Sequence, residues 1–237
     1  MKLVLHKSDE RGYADHGWLK ARHSFSFASW HNPNQMNFGM LRVLNDDIIA
    51  GGNGFGRHPH DNMEIVTIPL EGALEHKDSM GNTGIIEHGE VQIMSAGTGV
   101  YHSEFNASKT NEAKILQTWV YPKIKNITPR YNQKKFNKVD YTNKFLNIIA
   151  PDVDAKETMY INQDAWYSLG LFDVEKELEY KIHRDGNGVY VFVIEGQLKI
   201  DGIHVERRDG IGVWDVSHFN VEIAKNTMLL LIEVPMQ

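Results

Sequence analysis

Short apolar runs separated by tight turns repeat along most of the chain. Runs of strand length that are bounded by Gly, Pro, Asn and Asp are typical of β-strands. No long segment shows the 3.6-residue period of an amphipathic helix. Closely spaced strands with turn signals between them indicate a sandwich or a barrel. The pattern predicts strands at 24–28, 41–47, 64–70, 73–78, 84–87, 91–94, 113–121, 145–149, 159–161, 166–171, 179–182, 189–194, 197–200, 211–214, 219–223 and 228–234.

One hairpin pattern occurs in both halves of the chain. Val66–Leu74 aligns with Phe192–Lys199, and in both segments a strand ends at Glu-Gly and restarts with small or polar residues and Leu. We therefore predict an all-β fold of two tandem, jelly-roll-like β-barrels with few short helices. The 237 residues suffice for two cores. A Pro-, Asn- and Lys-rich stretch separates the halves, and the predicted boundaries are 1–125, a linker at 126–144, and 145–237.

Composition limits the chemistry that the chain can perform. It contains no cysteine, so a metal ion would need nitrogen and oxygen ligands. The net charge of −6 argues against direct nucleic-acid binding, which needs a basic surface. The first residues lack the apolar region of a signal peptide, and no apolar run approaches the roughly 20 residues of a membrane helix. We expect a reducing, cytoplasmic setting without membrane attachment.

Two stretches about 40 residues apart each offer a pair of metal ligands. In both, a glycine-rich approach leads to two candidate side chains one residue apart: His58 with His60, and His102 with Glu104. Side chains at positions i and i+2 of an extended strand point to the same face. Three imidazoles and one carboxylate suit a divalent transition ion and leave coordination positions open for chemistry.

Other residues compete for a place in this site. Glu64 lies four residues after His60, so it is an alternative fourth ligand to Glu104, or a group that supports the ligands. His76 is a possible lining residue and is expected to be a half-exposed strand residue. The corresponding hairpin in the second half lacks such pairs, so we expect one metal site, in the first barrel. The histidines expected to be structural or surface residues are His6, His16, His23, His31, His88, His183, His204 and His218.

Longer motifs around these ligands resemble a known superfamily. Gly52–Glu64 resembles the first motif of the cupins and Gly97–Asn106 the second. More narrowly, Phe55–His60, His76–Asn82 and Met94–Glu104 are similar to the pirin family, and above all to its bacterial branch with quercetin 2,3-dioxygenase activity. The resemblance covers almost the whole first domain and is looser over the second.

The resemblance implies a bicupin fold with one metal ion in the N-terminal barrel. Carried over by position, the ligands are His58, His60, His102 and Glu104, in agreement with the strand argument. The implied cofactor is one divalent transition metal ion, with iron as the leading candidate and copper, nickel, manganese, cobalt and zinc as alternatives.

Three functional hypotheses follow from the open ligand set and the resemblance. The first is a dioxygenase that opens the central ring of flavonols such as quercetin with O2 and releases carbon monoxide. Glu104 would act as the catalytic base for the flavonol 3-hydroxyl, whose pKa the metal lowers. The second is a metal- or redox-sensing protein that acts through a protein partner, as the eukaryotic nuclear members of the family suggest. The third is turnover of another enolizable small molecule.

Overall fold

The computed structural model describes residues 1–152 and 156–237. Regular structure in these residues is almost wholly β-strand, with two short 3-10 helical turns at Ser8–Glu10 and Lys138–Tyr141. No helix in the described part of the chain is long and apolar enough to cross a membrane.

The strands fall into two consecutive series, one in each half of the chain. The first series is β1 Lys2–His6, β2 Gly12–Asp15, β3 Leu19–His23, β4 Leu41–Ile49, β5 Gly54–His60, β6 Glu64–Glu71, β7 Ala73–Asp78, β8 Thr83–Glu87, β9 Glu90–Ser95, β10 Val100–Asn106, β11 Ala113–Val120 and β12 Arg130–Lys135. The second series is β13 Phe145–Ala150, β14 Met159–Tyr160, β15 Trp166–Phe172, β16 Lys176–Lys181, β17 Asn187–Glu195, β18 Gln197–Ile200, β19 Ile203–Glu206, β20 Gly210–Trp214, β21 His218–Ile223 and β22 Thr227–Pro235.

Each half combines a seven-stranded sheet with a four-stranded sheet. In the first half the orders are β12-β9-β6-β11-β4-β3-β2 and β5-β10-β7-β8. In the second half they are β1-β20-β17-β22-β15-β13-β14 and β16-β21-β18-β19. Among the described pairings the two sheets of each half stay separate, so each barrel is an open one. The predicted all-β fold in two tandem halves is confirmed.

The repeated hairpin occupies the same place in both halves. The turn between β6 and β7 is made at Gly72 with φ 73°, and the turn between β17 and β18 at Gly196 with φ 82°. Glycine adopts this left-handed conformation at low cost because it has no Cβ. A Cβ on Gly196 would also lie 2.3 Å from Oγ1 of Thr227. Local sequence therefore determined both turns.

The interiors of the two barrels differ in polarity. Branched aliphatic side chains fill most of the second one, among them Val189, Val191, Ile211, Val221 and Leu231. A further apolar core joins the two seven-stranded sheets and includes residues of both halves. Only the first barrel combines apolar walls with a group of three imidazoles within the described residues. This difference puts the candidate site in the N-terminal half.

One expectation about the N-terminal region is corrected. Residues 24–28 are not a strand: they form an irregular segment in which Phe25 is buried, tilted against the ring of Tyr190. The polar and aromatic residues alternate here because the segment is a loop that buries Phe25 against the second half. The sequence pattern also missed β2 and β3, which form an edge of the large sheet.

Sheet pairing crosses the predicted domain boundaries at two places. β1 precedes the first barrel in sequence but pairs with β20 of the second half. β12 lies in the predicted linker 126–144, yet it pairs with β9 of the first half along its full length, from Arg130 opposite Ser95 to Lys135 opposite Glu90. The domain division 1–125, 126–144 and 145–237 stays a prediction. Two strands do not follow it: β1 belongs to a sheet of the second half, and β12 belongs to a sheet of the first half.

Candidate metal centre

The central strand of the smaller N-terminal sheet brings the two predicted ligand pairs together. β10 lies between β5 and β7, so His102 faces His58 on one side and Glu104 faces His76 on the other. The pairing with β5 shifts by one residue between His102 and Glu104. Such a β-bulge redirects side chains locally. The bulge follows from the pairing and was not visible as a local sequence signal.

The three predicted histidine ligands converge. The ring centroid of His58 is 4.4 Å from that of His102, and the centroid of His60 is 4.9 Å from each of the other two. One nitrogen from each ring lies within 4.8 Å of the others. Nδ1 of His58 contacts the carbonyl oxygen of Gly56 at 2.7 Å. Because a carbonyl oxygen can only accept, Nδ1 donates this hydrogen bond, and Nε2 of His58 is the nitrogen that remains for a metal ion.

Glu104 is held by two side chains on the larger sheet. The amide of Gln117 donates a hydrogen bond of 2.8 Å to its Oε2, and the hydroxyl of Thr67 donates one of 3.3 Å to its Oε1. Glu104, His76 and His102 form a second group of potential metal ligands, with one ligand atom from each within 4.8 Å of the others. The sequence analysis missed Gln117 and Thr67, since they come from strands remote from both motifs.

Burial keeps two of the three imidazoles, those of His60 and His102, in the form that binds metal. Burial, then the neighbouring His102 and His58, lowers the pKa of His60 to about 4. Burial, then His58 and His76, lowers the pKa of His102 to about 3. Both rings are therefore neutral at neutral pH, and a neutral imidazole is the metal ligand.

His102 shows that the donor set fits a metal ion. Both of its ring nitrogens are buried, and neither has a hydrogen-bond partner among the described residues. A buried imidazole without partners is costly, because one nitrogen carries an N–H and the other a lone pair. A divalent ion would use that lone pair. The residues present thus fit a transition metal bound by nitrogen and oxygen donors.

Glu64 does not join the potential ligands among the described residues. Its Oε2 accepts hydrogen bonds from the hydroxyl of Ser95 at 2.8 Å and from the backbone N–H of Asn162 at 3.1 Å. Burial raises its pKa to about 7, although these two hydrogen bonds act in the opposite direction. Glu64 therefore connects the first barrel to the segment between β14 and β15.

His76 is fully buried, so the expectation of a half-exposed strand residue was wrong. Its Nε2 lies 3.3 Å from Oδ2 of Asp78, and its ring centroid is 5.3 Å from that of His102. The ring also packs against Tyr131 of β12, with centroids 4.8 Å apart. Thus β12, which lies in the predicted linker, buries His76.

A cavity of about 230 Å³ opens beside the histidines. It lies between the two sheets of the first half, so one wall carries the imidazoles and the other carries β3, β4 and β11. Its lining residues are Leu19, Ala21, His23, Phe27, Asn45, Asp47, Phe55, His58, His60, Glu104, Gln117 and Trp119. A largely apolar cavity with a few convergent polar groups is typical of a small-molecule site.

The second half holds its histidines in other roles. Nδ1 of His183 lies 2.7 Å from Oε2 of the buried Glu233, and its ring stacks on Trp166 with centroids 4.9 Å apart. His218 is exposed at the start of β21. Among the described residues, the groups that could hold a metal lie in the first half alone.

The chain is similar to proteins of known family over nearly its whole length. Residues 5–120 match the Pirin family model, and residues 148–234 match the Quercetinase C-terminal cupin domain. Quercetin 2,3-dioxygenase of Escherichia coli strain K12 is 41% identical over 234 residues, which cover 98% of this chain and 99% of that protein. The Pirin-like protein of Caulobacter vibrioides is 38% identical over 225 residues, 95% of this chain and 96% of that one.

The solved structures lead to the same family. The crystal structure of the bacterial pirin YhhW in complex with nickel(II), from Escherichia coli, is 38% identical in sequence. It matches with a TM-score of 0.93 and covers 99% of this chain and 99% of its own. Identity at this level over the full length, together with the two cupin domains, shows that the chain belongs to the pirin family.

Proposed function

We propose that this protein is a metal-dependent dioxygenase that opens the central ring of flavonols such as quercetin with O2 and releases carbon monoxide. The observation that carries the proposal is the convergence of three imidazoles beside a largely apolar cavity. The names of the relatives, quercetin 2,3-dioxygenase and pirin-like protein, support this choice of chemistry.

The proposed metal ligands are His58, His60, His102 and Glu104. Three of the four offer nitrogen donors, and the fourth adds a negative charge that compensates part of the charge of a divalent ion. When bound, such an ion supplies positive charge that lowers the pKa of a substrate hydroxyl. Iron is the ion that we expect first. Nickel is the second to test, since a bacterial pirin has been crystallised with nickel(II).

Glu104 is the proposed catalytic base. Its Oε1 has the longer contact, 3.3 Å from Oγ1 of Thr67, whereas Oε2 is held by Gln117 at 2.8 Å. Oε1 is therefore the freer oxygen to accept the proton of the flavonol 3-hydroxyl. The Gln117 hydrogen bond keeps the carboxylate in place while the proton is transferred.

Aromatic side chains of the cavity would bind the flat ring system and exclude water. Trp119 packs edge-on against His60 with centroids 4.9 Å apart, and Phe27 packs edge-on against Trp119 at 5.3 Å. Phe55 lies on the other side, 6.4 Å from His58. Aromatic walls favour a planar substrate through stacking and edge contacts.

Elemental analysis of protein purified without added metal, followed by aerobic assays with quercetin, tests the proposal. After reconstitution with each candidate ion we expect one metal per chain and loss of the flavonol absorbance with carbon monoxide as a product. His102→Ala should lose both metal and activity, whereas the exposed His204→Ala should keep both. Intact flavonol in the presence of protein with bound metal would contradict the proposal. A metal-dependent stoichiometric partner in that case would favour the sensing role.

A further inference from the structure

Asp47 is a buried carboxyl in the wall of the cavity. It lies on β4, opposite Ala21 of β3 and Ile115 of β11, and is 4% exposed. Its Oδ1 is completely buried and has no hydrogen-bond partner among the described residues. Buried polar atoms in folded proteins are almost always paired, so such an orphan needs an explanation.

The neighbours of Asp47 on the same strand are satisfied. Oδ1 of Asn45 lies 2.9 Å from Nδ1 of His23, and both residues line the same cavity. Asp46 points to the other face of β4, where it binds Arg11 at 3.2 Å and Arg208 at 3.1 Å. Asp47 is therefore the carboxyl that this part of the protein leaves available to the cavity.

The position of Asp47 relative to the histidines is fixed by the fold. His58 and His60 come from β5 of the four-stranded sheet, whereas Asp47 comes from β4 of the seven-stranded sheet. All three line the same cavity. A ligand that contacts the imidazole wall with one polar group can thus present a second polar group to Asp47.

The chemistry of Asp47 suits a hydroxyl ligand. Burial, and then the negative charges of Asp46 and Glu104, raise its pKa to about 8, although Arg11 acts in the opposite direction. A hydroxyl group both donates and accepts hydrogen bonds, so it can bond to Asp47 whether or not the carboxyl carries its proton.

We propose that Asp47 is a substrate-positioning residue that hydrogen-bonds a hydroxyl group of the substrate, distinct from the hydroxyl bound at the histidine wall. This inference rests on the proposed function and deepens it. The cavity of about 230 Å³ lies below the roughly 300 Å³ of common drug-sized sites. The preferred substrates are therefore compact polyhydroxylated aromatic compounds that have two separated hydroxyl attachment points.

Two flavonols that differ in their outer hydroxyl groups test the two attachment points independently. Quercetin carries hydroxyl groups on its outer rings, whereas 3-hydroxyflavone carries only the 3-hydroxyl. Binding of both is measured by calorimetry under argon to the nickel-reconstituted protein, so that no turnover is needed. We expect Asp47→Ala to weaken quercetin binding about 10-fold, the effect of one hydrogen bond in a buried site. Binding of 3-hydroxyflavone should change less than about 2-fold.

Two further variants control for folding and for chemistry. Asp47→Asn keeps a donor and an acceptor in the same volume, so it should retain quercetin binding within about 3-fold. Asp9→Ala, an exposed residue of the first 3-10 turn, should bind both flavonols like the wild type. Metal content is measured for each variant, so that weakened binding through metal loss is recognised.

The outcomes distinguish this inference from the proposed function. Three results would overturn the role of Asp47. Asp47→Ala could weaken the binding of both flavonols equally, it could leave quercetin binding unchanged, or the wild type could bind no flavonol. Turnover of quercetin with no hydroxyl-dependent effect at Asp47 would leave the dioxygenase proposal intact. Hydroxyl-dependent binding without any turnover would support Asp47 and contradict the dioxygenase.

Discussion

The side-chain amide of Gln117 donates a hydrogen bond of 2.8 Å to Oε2 of Glu104. The other end of the same amide accepts a hydrogen bond of 3.1 Å from the indole nitrogen of Trp119. The indole, whose N–H can only donate, therefore fixes which end of the amide faces the carboxylate. A residue of the cavity wall and a proposed metal ligand are thus coupled through Gln117.

Gln117→Ala should weaken metal binding without unfolding the protein. Groups that orient metal ligands typically contribute 10–100-fold in metal affinity or activity. We expect a loss of about that size, measured by competition with a chelator of known affinity. Gln133→Ala on β12 is the matched control, because Gln133 bonds to Tyr131, Ile85 and Glu90 and not to a proposed ligand. Equal affinities of the two variants would show that Glu104 needs no support from Gln117.

The titration of His60 tests the electrostatics of the metal-free site. Its pKa is lowered to about 4, first by burial and then by His102 and His58. Nitrogen-15 NMR of the metal-free protein should show a neutral ring at pH 6 that gains a proton as the pH falls through about 4. In His58→Ala this pKa should rise but stay below its ordinary value of 6.5, because burial remains the largest cause. An unchanged pKa in the variant would exclude coupling between the rings.

Glu64 should make the protein less stable as the pH rises. Its pKa is about 7 in the folded protein, against an ordinary value of 4.5, and burial is the largest cause. The folded state therefore favours the protonated acid, so stability is highest below about pH 4.5 and falls as the pH rises through 7. The shift corresponds to about 3 kcal/mol at roughly 1.4 kcal/mol per unit.

Glu64→Gln removes this proton linkage and keeps the shape of the side chain. The free energy of unfolding of the metal-free variant, relative to the wild type, should increase between pH 4.5 and 7 by up to about 3 kcal/mol. Urea denaturation at several pH values measures this difference. The control is Glu112→Gln, which is exposed before β11 and should give a difference that does not depend on pH. A flat profile for Glu64→Gln would contradict the burial argument.

Asp46 holds two arginines from different halves of the chain. It accepts hydrogen bonds from Arg11 at 3.2 Å and from Arg208 at 3.1 Å, and their side chains are only 3% and 10% exposed. Asp46→Ala leaves two nearly buried cations without this partner, which should cost about 3–5 kcal/mol in the free energy of unfolding. The control, Lys2→Ala, breaks an ion pair with Asp215 in which both side chains are more than half exposed, and should cost at most about 1 kcal/mol. Similar denaturation midpoints for the two variants would contradict the prediction.

The sequence alone predicted most of the strands, the repeated turn and the pairing of the four proposed ligands. Successive side chains of a strand alternate between its faces, so His58 with His60 and His102 with Glu104 were expected to project in pairs. Gly72 and Gly196 identified the repeated hairpin because a left-handed turn selects glycine locally. These features depend on neighbours in the sequence, and the family resemblance rested on the same motifs.

Only the tertiary structure decided what surrounds the ligands. Gln117, Thr67 and Asp47 reach the site from β11, β6 and β4, and they are 13, 37 and 57 residues from Glu104 in sequence. His76 is buried because Tyr131 of β12 covers it. The sequence pattern indicated a linker without strands at this place. Cross-strand neighbours are set by pairing between distant segments, and no local period records that pairing. For this reason the sequence could propose the ligands, which stay a prediction, whereas it could not identify the residues that contact them and shape the cavity.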